Sequence, residues 1–433
     1  MRALTTPPRV LARELASHEG HTVRVMGWVH RRRRLAALMF VVLRDRSGLA
    51  QVVVRAPSDD APVDLLREES VVEVVGRVVL NEQAPGGAEV VEPVFAALTD
   101  TPATPPIELW RPTLSASMTT RLDNAAVALR HPAAQARWAL AAASMSGFRT
   151  TLDSLGFTEI QTPKLVSTST ESGANVFEVD YFDGPAYLAQ SPQFYKQIMV
   201  GVFERVYEIG PVFRAEPHDT ARHLAEYVSL DVEVGFISDH RDVLKVLREV
   251  VAGMLDVIRE RGEDIERLGI SLPDVPRTIP LIHFSEALAV AGAPPDEPDL
   301  APADERAVGA WAAAEYGSEF IAVEGYPMRK RPFYTHPQPS DPRWSNSFDL
   351  LFRGMELTTG GQRLHRYGDY LAALEALSQP REPYEGYLQA FRHGMPPHGG
   401  FAIGLERWVA RLVGAANIRE VTLFPRDLHR LTP

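Results

Sequence analysis

The 433-residue chain contains no cysteine. Disulfides and thiolate metal sites are excluded, and the redox character of its compartment leaves no mark on the sequence. Long apolar runs are missing too: no window approaches the roughly 20 residues that a membrane-spanning helix requires. The opening stretch, MRALTTPPRVLARELASHEG, lacks the apolar centre of a secretory signal. Positive charge is in deficit, with 45 Lys and Arg against 56 Asp and Glu and a net charge of −11. Bulk attraction to nucleic acid or to an anionic membrane is thereby excluded, although a local basic patch is not. There is no internal repeat and no G-x-x-x-x-G-K-[ST] phosphate loop. These absences lead to the expectation of a cytoplasmic globular protein with no membrane partner. Its length allows two or three domains with a large core.

Residues 1–103 read as a small β-rich domain, with strands expected over 23–33, 38–44, 50–55, 71–80 and 90–98. A short helix over 63–69 separates the third strand from the fourth. Three strands, a helix and two strands is the order of an OB-fold barrel, which commonly binds single-stranded nucleic acid on one sheet face. The run Arg31–Arg34, beside Trp28 and His30, supplies local positive charge next to aromatics. A solubilising turn accounts for that run equally well. Residues 104–131, entered through the proline-rich TPATPPIELWRP, read as a linker or hinge.

Residues 132–433 form the second expected domain. Apolar residues from Trp138 to Leu155 recur at spacings of three and four, which predicts a helix over 132–155 begun by Pro132 and stopped by Gly156. Strands follow over 157–161, 206–216 and 226–236, and a second amphipathic helix over 241–261. Residues 265–304, rich in proline and acids, read as a surface insertion. Further strands over 320–322, 348–352, 355–359 and 400–403 precede a buried helix over 405–413. Consecutive hairpins with flanking helices argue for an antiparallel sheet and an α+β class.

Four clusters carry chemistry. In the hairpin 206–236, Arg214 and Glu216 share one strand face, and Tyr227, Ser229, Asp231 and Glu233 share another. With Arg222 and His223 in the loop, this reads as the floor of a site for a charged, phosphate-bearing ligand, although a solvated face gives the same alternation. In SFDLLFRGMELTTGGQR, a two-residue turn at Arg353-Gly354 pairs Asp349 with Thr358 and makes Asp349 and Glu356 diagonal neighbours. Two carboxylates so placed can share Mg²⁺, with phosphates completing its shell; two solvated acids are the alternative. In QSPQFYKQ, Gln193 and Lys196 lie on one helical face, an amide and a cation suited to a small zwitterion with an extra carboxylate. In GGFAIGLER, a glycine-rich strand runs into a helix whose first turn carries Glu406 and Arg407, where an Arg can meet a phosphate.

In this order the clusters resemble the class II aminoacyl-tRNA synthetases. FRAE…RH resembles their second motif, GLER their third, and the long helix, strand and Pro163 the first, which forms the dimer interface in that class. The barrel is similar to the anticodon-binding domain of the aspartate, asparagine and lysine subgroup. The whole chain resembles most nearly the aspartyl-tRNA synthetases of archaeal and eukaryotic type. The resemblance implies ATP-dependent aspartylation of tRNA through an aspartyl-adenylate. Arg214 would bind the α-phosphate and Arg407 the γ-phosphate; Glu216 would read adenine, Tyr227 stack on it and His223 sit over the phosphates. Asp349 and Glu356 would hold Mg²⁺. Lys196 and Arg363 would grip the side-chain carboxylate, Asp231 and Glu171 of a flipping loop the α-ammonium, and Gln193 the backbone end. His30 after Trp28, and Pro85 in the last barrel turn, resemble the bacterial group that charges both tRNA-Asp and tRNA-Asn and depends on a separate amidotransferase. A homodimer is implied. An enzyme restricted to tRNA-Asp, an asparaginyl enzyme and a tRNA-free asparagine synthetase on the same fold are the alternatives; the barrel argues against the last.

Overall fold

The computed structural model describes residues 7–35, 38–55, 67–100, 103–168, 175–217 and 219–432. The chain divides into two compact units, Met1–His131 and Pro132–Pro433. In the first, β1 (Thr22–Arg34), β2 (Leu38–Asp45), β3 (Gly48–Arg55), β4 (Val71–Leu80) and β5 (Ala88–Ala97) close into a barrel in the order β1-β2-β3-β5-β4. Alternate residues point inward along each strand, so valines such as Val25, Val41, Val52, Val74 and Val90 fill the interior. The helix expected over 63–69 falls outside the described residues as far as 66. The expected linker belongs to the first unit. It carries two short helices, α1 (Met118–Asp123) and α2 (Ala125–Ala128), over a small core of Ile107, Leu109 and Ala128.

The second unit begins with α3 (Pro132–Ser154), which buries Ala141, Phe148 and Leu152, with Trp138 and Met145 packed beside them. It leads to β6 (Thr158–Glu159) and a small sheet of β7 (Leu165–Val166), β8 (Glu178–Tyr181) and β9 (Gly184–Leu188). Next come α4 (Gln193–Phe203), the hairpin β10 (Arg205–Phe213) and β11 (Glu226–Gly235), and α5 (His240–Arg259). The chain then forms α6 (Gly262–Leu268), β12 (Leu281–His283), α7 (Phe284–Ala291), α8 (Pro302–Tyr316) and β13 (Phe320–Glu324). A second hairpin, β14 (Ser347–Phe352) and β15 (Met355–Gln362), is followed by α9 (Tyr367–Ala376), α10 (Glu385–Arg392), β16 (His398–Gly404) and α11 (Leu405–Val413).

Among the described residues eight strands form the main sheet, in the order β12-β13-β14-β15-β16-β11-β10-β6. Its centre is antiparallel as expected, but β12 and β6 run parallel to their neighbours at the two edges. The reason lies in the connections: hairpins reverse a strand, whereas helical crossovers, with α4 before β10 and α7 and α8 before β13, return the chain in the same direction. Residues 265–304 are likewise no surface insertion. They supply the edge strand β12 and pack Phe284, Leu288 and Leu300 into a core with Val308, Ile321 and Leu351. The strand expected over 206–216 ends at Phe213, so Arg214 and Glu216 lie in the connection after it.

Two helices cover the sheet at close range. A Cβ at Gly147 of α3 would sit 2.7 Å from the Gly253 carbonyl of α5, so only glycine permits this crossing. Trp408 of α11 donates from Nε1 to Ser144 Oγ at 3.0 Å, joining the last helix to α3. Among the described residues no helix is long and apolar enough to cross a membrane.

At the start of α5, Glu324 of β13 accepts from His240 Nε2 and Arg241 Nη2, both at 2.7 Å. Burial alone would raise its pKa, but these two partners outweigh burial and hold it at about 2. A carboxyl with a depressed folded-state pKa stabilises fully above its unfolded value of 4.5 and loses that contribution as pH falls toward 2. Glu324→Gln should therefore lower stability at pH 7 by about 1–3 kcal/mol and flatten the acid limb below pH 4.5. Urea denaturation across a pH series measures both effects.

Candidate active site

The central strand β11 forms the floor of a cavity of about 500 Å³. Along it Tyr227, Ser229 and Asp231 face the space, as the period-2 alternation predicts. Glu233 continues the same face but is fully buried beneath it.

At one end α4 presents Lys196, one turn in from its start at Gln193. Lys196 Nζ lies 3.0 Å from Asp231 Oδ1 and 3.4 Å from Glu233 Oε2. Arg363, immediately after β15, donates from Nε to Glu233 Oε1 at 3.0 Å and from Nη2 to the Gly400 carbonyl at 3.0 Å. Gln193 Oε1 is 3.5 Å from the same guanidinium. Burial would raise the pKa of Glu233, yet Arg363 and Lys196 outweigh it and keep the carboxyl below its ordinary range. A Cβ at Gly400 would fall 2.1 Å from Glu233 Oε2, so the glycine of β16 is what lets the carboxylate occupy this place. Sequence reasoning placed Glu233 on the floor face with Tyr227, Ser229 and Asp231 but gave it no role of its own.

Behind α4 a polar network fixes the helix. Gln197 Nε2 lies 3.1 Å from Tyr370 OH and 2.9 Å from His398 Nε2, and Tyr387 OH donates to Gln197 Oε1 at 2.8 Å. Burial pushes His398 down to about 4, so the imidazole is neutral and accepts from Gln197.

The other end is rich in arginine. Arg214 stands with its Cζ 5.8 Å from the Tyr227 ring centroid and its Nη1 3.9 Å from Glu216 Oε1. His223 shares a 2.6 Å hydrogen bond with Thr220. The loop carrying them is tied down by Arg419, which donates to Asp219 at 2.8 Å and to the Thr220 carbonyl at 3.0 Å. In the first turn of α11, Arg407 donates to the Glu356 carbonyl at 3.1 Å. Glu406 next to it is turned inward, accepting the Val228 amide at 3.1 Å, and burial pushes its pKa up to about 7.

The two expected metal carboxylates are close, by a different register from the one predicted. The turn at Arg353-Gly354 is present, but a bulge between Leu350 and Leu351 pairs Asp349 with Thr359 rather than Thr358. Glu356, opposite Leu351, shares the face of Asp349 in either register; the extra residue of β15 brings Thr359 to that face, where it hydrogen-bonds to both carboxylates. Asp349 is buried behind the cavity wall, 2.9 Å from Arg331 Nη2. Burial, with Glu356 beside it, pushes Asp349 up to about 6 despite Arg331. Burial would raise Glu356 too, but Arg407 and Arg331 hold it below its ordinary range. Among the described residues no three His, Cys, Asp or Glu side chains converge as a metal site. Two mutually repelling carboxylates with one hydroxyl between them suit a divalent cation whose remaining ligands are phosphate oxygens. Arg331 and Thr359 escaped the sequence reading, Arg331 because it arrives on the long β13–β14 connection.

Gln193, Lys196, Arg214, Glu216 and His223 thus line one cavity with Tyr227, Asp231, Glu356, Arg363 and Arg407. Glu171 lies outside the described residues. Trp28, His30 and Pro85 belong to the barrel unit. Trp28 is 37% exposed, whereas His30 is buried with Nδ1 3.3 Å from Arg44 Nη1. Arg44 in turn makes a bidentate pair with Glu69 at 2.9 Å. Burial, then Arg44, lowers the His30 pKa to about 4. Pro85 opens the single turn Pro85–Gly87 between β4 and β5.

Comparison with known proteins finds a family match in each part of the chain. Residues 117–428 match the family of tRNA synthetases class II (D, K and N), and residues 23–95 match the OB-fold nucleic acid binding domain. The aspartate–tRNA(Asp/Asn) ligase of Thermus thermophilus is 47% identical over 98% of this chain and 100% of its own. That of Deinococcus radiodurans is 45% identical over 99% and 100%. Among solved structures, the asparaginyl-tRNA synthetase of Pyrococcus horikoshii with asparaginyl-adenylate superposes with a TM-score of 0.90 at 32% identity, covering 98% of this chain and 99% of that one. The aspartyl-tRNA synthetase of Entamoeba histolytica does so with a TM-score of 0.86 at 28% identity, covering 98% and 92%.

Removing one partner from a buried ion cluster costs about 3–5 kcal/mol. Glu233→Gln, which leaves Lys196 and Arg363 without their shared counter-charge, should cut the unfolding free energy by about that amount at pH 7. Chemical denaturation measures it; an unchanged midpoint would mean that the two cations do not depend on Glu233.

Proposed function

Because this chain belongs to the class II tRNA synthetases of the aspartate, lysine and asparagine group, we propose that it joins L-aspartate to tRNA through an aspartyl-adenylate, on both tRNA-Asp and tRNA-Asn. The observation that carries the amino-acid assignment is the charge balance around Glu233. Lys196 and Arg363 bring two positive charges, and Glu233 offsets one of them. With Asp231 given to the substrate's α-ammonium, one net positive charge is left for a side-chain carboxylate. A neutral amide would leave it unbalanced in a buried place, which is costly. The solved structures above include both asparaginyl and aspartyl enzymes, so the fold alone does not choose. The names of the curated relatives favour aspartate and both tRNAs.

In the first step an oxygen of the aspartate α-carboxylate attacks the α-phosphorus of ATP, and the bond to pyrophosphate breaks. Positioning and charge neutralisation do the work, with no protein nucleophile. Arg214 neutralises the α-phosphate, Arg407 holds the γ-phosphate, and His223 lies over the phosphate chain. Tyr227 stacks on adenine while Glu216 accepts from its amino group. Gln193 fixes the backbone end of the amino acid, and Glu171 joins Asp231 at the α-ammonium. Asp349, Glu356 and the Thr359 hydroxyl would hold Mg²⁺, which when bound neutralises phosphate charge. In the second step a hydroxyl of the 3′-terminal ribose of tRNA attacks the aspartyl carbonyl carbon and AMP leaves.

The barrel is the anticodon-binding unit. Trp28 offers a partly exposed ring there, Pro85 shapes the last turn, and His30 acts from beneath through Arg44. The chain works as a homodimer through the region of α3. Aspartyl-tRNA-Asn made in this way requires a separate tRNA-dependent amidotransferase.

Charging purified tRNA-Asp and tRNA-Asn with radiolabelled aspartate, and separately with asparagine, tests this reading. Comparable aspartate transfer to both is expected. Transfer to tRNA-Asp alone would remove the relaxed specificity, and transfer of asparagine would overturn the amino-acid assignment. Lys196→Leu should reduce aspartate-dependent ATP–pyrophosphate exchange by at least about a hundredfold, the loss of one buried charged partner. Circular dichroism on the same sample checks that it remains folded.

A further inference from the structure

Glu305 belongs to none of the four sequence clusters. It lies in the first turn of α8, just after the stretch that reads as a surface insertion. Yet its carboxylate is buried and joins two elements of the cavity. One oxygen, Oε1, accepts from Arg222 Nη2 at 3.1 Å. The other, Oε2, accepts the backbone N–H of Glu356 at 2.9 Å. Arg222 comes from the β10–β11 loop and lines the cavity with Glu356. The Nε of Arg222 is buried and has no hydrogen-bond partner among the described residues, a donor at the cavity wall that the protein leaves unmatched. Glu305 itself cannot drift. Its helix is docked on the β14–β15 turn through two facing glycines, where a Cβ on Gly309 would lie 2.6 Å from Gly354 Cα.

We propose that Glu305 is a positioning residue for adenylate formation, holding the Arg222 guanidinium toward the ATP phosphates and fixing the backbone of the metal carboxylate Glu356. The proposal rests on the functional reading above. It follows from how each bond constrains its partner. A long arginine side chain loses several rotamers when it is pinned, and a buried carboxylate is the group that can pin it before the nucleotide arrives. The phosphate-binding loop and the metal hairpin are distant in sequence, and one carboxylate sets the spacing between them. Glu305 touches no reacting atom, so its removal should alter ATP and metal binding while leaving the aspartate end unaffected.

The test is aspartate-dependent ATP–pyrophosphate exchange by the full chain, with KM for ATP, KM for aspartate and the Mg²⁺ concentration for half-maximal rate measured separately. Glu305→Gln keeps an oxygen for the Glu356 amide and removes the charge from Arg222. It should raise KM for ATP about tenfold, the worth of one charge-assisted hydrogen bond, with the Mg²⁺ requirement and KM for aspartate unchanged. Glu305→Ala loses both bonds and should raise the Mg²⁺ requirement as well. Adding Glu305→Gln to Arg222→Ala should do no further harm, because the residue acts through that arginine. An unchanged KM for ATP in Glu305→Gln, or full additivity in the double variant, would overturn the proposal. So would a parallel rise in both KM values with a lowered melting temperature, which marks a merely structural role. If Glu305→Ala does not fold, Glu305→Gln and the double variant decide. Absence of aspartate-dependent exchange in the unaltered chain would instead overturn the functional reading.

Discussion

One buried negative charge organises the Lys196 end of the cavity. Glu233 sits under the central strand of the sheet and holds Lys196 from α4 and Arg363 from the end of β15. It is the counter-charge that the two cations share, and they in turn keep its carboxyl below the ordinary range despite burial. The surrounding architecture protects that arrangement. Gly400 leaves room for the carboxylate, Gln197 and its tyrosines anchor the helix behind Lys196, and β16 completes the sheet over Arg363. The site is therefore set before any substrate enters, which is the condition for electrostatic catalysis.

The arginine-rich end follows another plan. Its arginines stand on separate elements, Arg214 and Arg222 on the β10–β11 loop, Arg331 on the β13–β14 connection and Arg407 on α11. Each is paired with an acidic side chain nearby: Glu216, Glu305, Asp349 and Glu356 respectively. Such pairs balance the positive charge gathered around the cavity.

Much of this was legible from residue order. The α3 stripe, both hairpins and the facing set Tyr227, Ser229 and Asp231 follow from periods of 3.6 and 2, which local sequence carries directly. What escaped was set by distance in sequence. Glu233 looks like any outward acid until Lys196 and Arg363 are brought to it by α4 and β15. Glu305 and Arg331 lie in proline- and charge-rich stretches without clear periodicity, and their partners come from elsewhere in the sheet. The parallel edge strands are hidden for the same reason, since their direction depends on crossovers rather than on their own residues. The pairing of Asp349 failed by a single position because a bulge leaves no compositional signature.

That bulge decides which threonine meets the two carboxylates. Along β15 successive side chains alternate faces, so a change of one residue in length moves everything beyond it to the opposite side. With Leu357 as the supernumerary residue, Thr359 rather than Thr358 stands opposite Asp349, on the face that Glu356 shares in either register. A slip of β15 by one residue that erased the bulge would keep the two carboxylates on their shared face, but it would set Thr358 opposite Asp349 and turn Thr359 to the other side.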